Sequence, residues 1–130
     1  METRAVAPQR ILVVDDEPLV CDSIKRMLDF DGHRVEVALS AEQALELFDK
    51  DTFDVVLIDY LLPVMKGDEL GGIMKARRPG QAVVLISATA ETLQHSDHPP
   101  ANVDMIVSKP FALDDLRRIL ATVLAGKSSV

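Results

Sequence analysis

The sequence predicts an α/β fold, a parallel sheet of five strands covered by helices on both faces, and three observations carry that prediction. Five short apolar runs have strand length and are mostly β-branched: Ile11 to Val14, Val35 to Leu39, Val55 to Ile58, Ala82 to Ile86 and Met105 to Val107. Segments with apolar residues at helical spacing separate them, so strand and helix alternate along the chain. The first, third and fourth runs are continuously apolar, as strands buried on both faces must be. Such alternation implies right-handed crossovers and a doubly wound sheet.

Each element has its own signature. After the first strand, Pro18 suits a first helical turn, and "PLVCDSIKRMLDF" sets Leu19, Ile24, Met27 and Leu28 near helical spacing before Gly32 in a C-cap-like position. Cys21 reads as a small core residue of that helix, and His33 as a turn residue. "HRVEVAL" alternates, which marks an edge strand. "SAEQALELFDK" opens with Ser40 and Gln43 at capping-box spacing and carries Ala44, Leu45, Leu47 and Phe48. "GDELGGIMKARRPG" is a weaker helix, because Gly71 and Gly72 each cost about 1 kcal/mol against alanine. "LDDLRRILATVLAG" places Leu113, Leu116, Ile119, Leu120, Val123 and Leu124 on one face and is expected to end at Gly126. Met27, Met65, Met74 and Met105 fall at apolar or boundary positions and read as packing.

Composition narrows the function classes. A chain of 130 residues, 48% apolar and 27% charged, suits a single domain able to bury its core without disulfide or metal staples. The net charge of −7 disfavours nucleic acid or an anionic membrane as a ligand and favours a cation or a basic partner surface. One cysteine cannot form an internal disulfide, and no apolar run reaches membrane-spanning length. "METRAVAPQR" lacks the apolar centre of a signal peptide, so the expected compartment is the cytosol. The expected layout is a tail over 1–9, one domain over 10–125 and a tail over 126–130.

In an open parallel sheet the functional crevice lies beyond the carboxyl ends of the strands. The first strand ends in Asp15 and Asp16, the third in Asp59 and the fourth in Ser87, and the fifth runs into Lys109 and Pro110. Like charges this close need an explanation, since two carboxylates about 4 Å apart repel by about 4 kcal/mol at an effective dielectric near 20. Asp15, Asp16 and Asp59 form an oxygen-only set suited to Mg²⁺ or Mn²⁺. The plainer explanation is a solvated acidic loop opening a helix, and Glu17 fits either a water-mediated metal role or a helix N-terminus.

"ILVVDDEP", "VVLIDYLLPVMKG", "VVLISA" and "SKPF", in this order and at these separations, resemble the receiver domain of two-component response regulators, from about Arg10 to Leu124. The resemblance implies a flavodoxin-like sheet of order 2-1-3-4-5. It implies that Asp59 is the phosphoacceptor and that Asp15, Asp16, Asp59 and the backbone carbonyl of Leu61 hold Mg²⁺ or Mn²⁺. Ser87 matches the switch hydroxyl, Lys109 the lysine that contacts the phosphoryl group, and Leu61 and Thr89 the positions that tune its lifetime. The implied partners are a sensor histidine kinase or phosphotransfer protein as donor and a downstream protein or missing effector domain as output. A homodimer is a further expectation; direct contact with nucleic acid or membrane is not. Such a domain is a phosphoacceptor that assists its own phosphorylation and dephosphorylation rather than an enzyme acting on separate substrates.

Some residues depart from the family pattern. The switch position three before the lysine, usually aromatic, is Ile106. Pro99 and Pro100 fall where the fourth helix should run, and an internal proline costs about 3 kcal/mol or more, so that helix is expected to be short, displaced or absent. His95, Asp97 and His98 read as a solvated loop rather than a metal site. Neither Asp-rich segment has the spacing of an aspartyl-phosphate phosphatase, and acids after the first strand would repel a cofactor phosphate. The alternative is a docking module of receiver fold that is not phosphorylated. Past Gly126 only "KSSV" remains, which fits a stand-alone receiver or the front of a longer regulator.

Overall fold

The three continuously apolar runs form the centre of the sheet, where both faces need apolar cover. The computed structural model describes residues 5–96, 100–109 and 112–127. The elements alternate without exception: β1 (Arg10–Val14), α1 (Pro18–Phe30), β2 (Arg34–Ala38), α2 (Ala41–Lys50), β3 (Val55–Asp59), α3 (Gly67–Arg77), β4 (Ala82–Ser87), α4 (Ala90–Gln94), β5 (Met105–Ser108) and α5 (Leu113–Lys127). All strand pairs are parallel, in the order β2-β1-β3-β4-β5.

The twofold alternation of each strand divides the core into two layers. Ile11, Val13, Val55 and Leu57 face one layer, closed by Ile24 and Leu28 of α1 and Leu116 and Leu120 of α5. Leu12, Val14, Val56 and Ile58 face the other, closed by Ala44 and Phe48 of α2 and Leu70 and Met74 of α3. Cys21 is buried in the first layer as expected.

Helix ends follow the predicted chemistry. Gly32 has a φ of +87°, and the N–H groups of Gly32 and His33 reach back to Asp29 (2.9 Å) and Leu28 (3.1 Å), which satisfies carbonyls at the end of α1. Ser40 Oγ accepts from the Gln43 N–H at 3.1 Å, and Gln43 Oε1 accepts from the Leu39 N–H at 2.8 Å, so both halves of the cap form, with the second shifted one residue upstream. Arg117 of α5 grips Asp31 with two bonds of 2.8 Å, tying α5 to the end of α1.

Three expectations change. Leu19 is 81% exposed rather than part of the core face, because it lies on the outer side of α1, while Cys21, Ile24 and Leu28 turn inward. His33 is more than a turn residue: it is buried, and its Nδ1 accepts from the Gln9 N–H at 2.9 Å, which anchors the approach to β1. Helix α5 runs through Gly126 to Lys127, since one helical glycine costs only about 1 kcal/mol.

The fourth helix is short, five residues from Ala90 to Gln94. Asp97, His98 and Pro99, and the Pro110 and Phe111 of "SKPF", lie outside the described residues. The chain returns to β5 through Asn102, whose φ of 62° lies in the left-handed region that asparagine tolerates. Gly71 and Gly72 of α3 make room for it: a Cβ on Gly71 would sit 3.2 Å from the Asn102 carbonyl oxygen, and one on Gly72 3.2 Å from its side-chain nitrogen. The glycines that weaken α3 thus admit the segment that leads into β5.

Candidate functional site

The carboxyl ends of β1, β3, β4 and β5 meet at one rim. Asp15 follows β1 directly, and its N–H donates to the Ala38 carbonyl at 3.1 Å. Its side chain is fully buried, with Oδ1 accepting from the Glu17 N–H at 3.0 Å and Oδ2 from Lys109 Nζ at 2.8 Å. The Asp15 carbonyl accepts from Cys21 Sγ at 3.3 Å. Burial, and then the nearby Asp15 charge, push the Cys21 thiol up to about 11, which makes it a packed donor rather than a nucleophile.

Asp59 closes β3 and is 7% exposed. Its position is set by backbone: the Tyr60 N–H donates to the Ile86 carbonyl at 2.8 Å, and the Gly67 N–H donates to the Tyr60 carbonyl at 2.8 Å. A Cβ on Gly67 would lie 2.5 Å from the Asp59 carbonyl oxygen and 2.7 Å from Leu85 Cδ1, so only glycine lets α3 start this close to the strand end. Leu61, between these anchors, turns its side chain outward and is 61% exposed.

Lys109 joins the two buried acids. Its N–H donates to the Ser87 carbonyl at 3.1 Å, extending the β4–β5 ladder, and its Nζ lies 2.8 Å from Asp15 Oδ2 and 3.0 Å from Asp59 Oδ1. Burial pushes the Asp59 carboxyl up from its usual range, and the Asp15 and Asp16 charges add to that; the Lys109 hydrogen bond opposes it. Burial by itself pulls the Lys109 ammonium down, but the bonds to Asp15 and Asp59 outweigh it and the net shift is upward. The ammonium is therefore a fixed positive charge between two acids that would otherwise repel.

Asp16 and Glu17 are exposed, and oxygens of Asp15, Asp16 and Glu17 lie within 4.8 Å of one another. Among the described residues this is the acidic cluster with metal-holding spacing, while Asp59 meets it through Lys109. The donors are all oxygen, the type that hard divalent cations take. Ser87 is 3% exposed, and its hydroxyl is bonded to Thr89, from the N–H at 3.0 Å and with Oγ1 at 3.1 Å. Ile106, half-buried, pairs with Leu85, and its carbonyl accepts from Gln94 Nε2 at 2.8 Å. Sequence reasoning left the part of Glu17 open and missed the bond between Thr89 and Ser87. A Ser-x-Thr at a strand end, where hydroxyls bond the backbone two residues on, was the signal for the second.

Comparison with known proteins fits this geometry. Residues 11–121 match the family model of the response regulator receiver domain. The chain belongs to that family. The receiver domain is 33% identical over 109 residues to response regulator MprA of Mycolicibacterium vanbaalenii, covering 84% of this chain and 47% of that protein. Against MprA of Mycobacterium sp. (strain KMS) it is 32% identical over 121 residues, covering 93% and 53%. The chain thus spans about half the length of these relatives. Its fold superposes with a TM-score of 0.79 on Thermotoga maritima response regulator TrrA, crystallised in complex with Mg²⁺–BeF, at 30% identity over 88% of this chain and 98% of the other. A CheY-like receiver domain protein from Methanospirillum hungatei gives 0.80 at 30% identity over 93% and 97%. Receiver domains act in two-component signalling, and no helix among the described residues is long and apolar enough to cross a membrane.

Proposed function

We propose that this receiver domain accepts a phosphoryl group on Asp59 from a phosphohistidine of a sensor histidine kinase or phosphotransfer protein. The observation that carries the reading is the Lys109 ammonium set 2.8 Å from Asp15 and 3.0 Å from Asp59, at the rim where four strand ends meet. Asp15, Asp16 and the Leu61 carbonyl, with Asp59 itself, are the residues to hold Mg²⁺ or Mn²⁺, and the hard-oxygen cluster at Asp15, Asp16 and Glu17 supports that choice. When bound, such a cation neutralises charge on the phosphoryl oxygens.

The chain's own residues account for the rest. Asp59 attacks phosphorus through a carboxylate oxygen; the bond to the donor nitrogen breaks, and that nitrogen leaves with its electron pair. The attack needs the anion, which burial disfavours and the Lys109 bond favours. As charge develops on the transferring group, Lys109 is close enough to shift from pairing two carboxylates to contacting a phosphoryl oxygen. Ser87 supplies a hydroxyl at the neighbouring strand end, and the acyl phosphate biases β5 and the short α4. The output is a downstream protein or an effector domain in the same polypeptide, and the expected compartment is the cytosol.

Incubation with acetyl phosphate or phosphoramidate and Mg²⁺, read by intact mass, tests this. The expected result is a single phosphoryl adduct that needs Mg²⁺ and is lost in Asp59→Asn. Equal labelling of that variant overturns the assignment to Asp59, and no labelling of the wild-type chain overturns the reading in favour of a docking module that keeps the fold alone.

A further inference from the structure

The Ser87 hydroxyl is 3% exposed, and its described bonds run to Thr89, not toward Lys109 or Asp59. Its oxygen accepts the Thr89 N–H at 3.0 Å and is hydrogen-bonded to Thr89 Oγ1 at 3.1 Å, where either hydroxyl can donate. A phosphoryl oxygen is an acceptor, so it can be served by Ser87 only if the serine offers its O–H in that direction. Turning Oγ away from Thr89 to serve an anion on Asp59 would give up both bonds. The backbone N–H is common to every residue at position 89 except proline. The Oγ1 bond, by contrast, needs a side-chain hydroxyl at position 89.

We infer that Thr89 is a positioning residue that latches Ser87 in its resting orientation, so that its hydroxyl opposes anion capture at Asp59. The inference rests on the proposed role of Asp59 and Ser87 and adds a residue that acts through the serine without touching the reacting atoms. An interaction made in the resting state and lost in the bound one lowers apparent affinity by its own worth. A neutral hydrogen bond has a net worth corresponding to a factor of about 2 to 10 in an equilibrium constant. Thr89 is exposed on its outer side, so valine, its isostere, removes the hydroxyl without disturbing the core.

The test is titration with beryllofluoride at saturating Mg²⁺, followed by fluorescence of Tyr60, the sole tyrosine in a chain without tryptophan. Thr89→Val is expected to tighten apparent binding about 2- to 10-fold, and Thr89→Ser, which keeps the hydroxyl, to match wild type. In a Ser87→Ala background the Thr89→Val change is expected to have no effect. Unchanged or weaker binding in Thr89→Val, the same tightening in Thr89→Ser, or tightening that persists without the Ser87 hydroxyl overturns the latch. Asp59→Asn separates the two levels: if it binds beryllofluoride as wild type does, the proposed site has failed; if it does not bind and Thr89→Val is inert, only the latch has failed.

Discussion

Replacing Lys109 by methionine keeps most of the apolar stem and removes the charge that joins Asp15 to Asp59. Bonds of 2.8 and 3.0 Å through one nitrogen place those two carboxylate oxygens at most about 5.8 Å apart. At an effective dielectric near 20, two charges at that separation repel by about 3 kcal/mol. The lysine side chain is 19% exposed and both acids are more deeply buried, so solvent screens this only in part. The variant loses the ammonium's attraction to both carboxylates, net of the cost of burying the lysine, and leaves that repulsion unopposed, so the expected loss in unfolding free energy at pH 8 is about 3–5 kcal/mol, as for breaking a buried pair from one side. Its pH dependence has a definite sign. A carboxyl whose folded pKa is raised, as burial raises that of Asp59, loses stability as pH climbs from the unfolded value to the folded one. Without Lys109 that loss deepens and extends to higher pH, while in acid Asp59 takes up its proton and the repulsion fades. Lys109 has a raised pKa of its own, so its contribution in the wild-type chain is intact below about pH 10 and is lost only as pH rises through the folded value. Urea titrations of both proteins at pH 5 and pH 8 measure the difference. An equal deficit at the two pH values would refute the claim that unrelieved carboxylate charge is the cause.

Three other perturbations have expected outcomes. Saturating Mg²⁺ raises the melting temperature of the wild-type chain, by about 2.7 kcal/mol of stabilisation at a hundred times Kd, and the paired change Asp15→Asn with Asp16→Asn removes that rise; scanning calorimetry with and without the ion reads it. Gly67→Ala forces a Cβ to within 2.5 Å of the Asp59 carbonyl oxygen, so denaturant midpoints should report a loss of about 1–3 kcal/mol, with acetyl phosphate labelling slowed because the strand end shifts. Arg117→Ala strips Asp31 of the guanidinium that, chiefly by hydrogen bonding, holds its carboxyl below the usual range. That stabilisation is present above the unfolded carboxyl pKa of about 4 and is lost as pH falls through the folded value, so the cost of Arg117→Ala, about 1–3 kcal/mol at pH 7, should disappear in acid.

How much the sequence told in advance differs from residue to residue. The runs at β1, β3 and β4 were legible because burial on both faces leaves a continuous apolar stretch, and the Ser40–Gln43 cap because it depends on residues three apart. Leu19 was misplaced because its spacing from Ile24 fits the inner face only loosely, and the packing of Cys21, Ile24 and Leu28 fixes the rotation of α1. His33 was underread for the same kind of reason, since its partner, the Gln9 N–H, lies 24 residues away across a strand pair.

At the candidate site the division runs between chemistry and pairing. Sequence by itself determined that acids, a hydroxyl and an amine stand at successive strand ends, because strand length and apolar periodicity are local properties. It also indicated that the fourth helix is short, displaced or absent, because an internal proline disfavours helix, and the structure decided for a short one. Only the tertiary structure decided that the Lys109 ammonium lies between Asp15 and Asp59 and that Glu17 joins the oxygen cluster. These pairings turn on ångström-scale distances between side chains as far as 94 residues apart, set by the order in which the strands lie side by side. Residue types can be read one at a time along the chain, whereas the balance of charge among them depends on inverse distance and exists only once the sheet has closed.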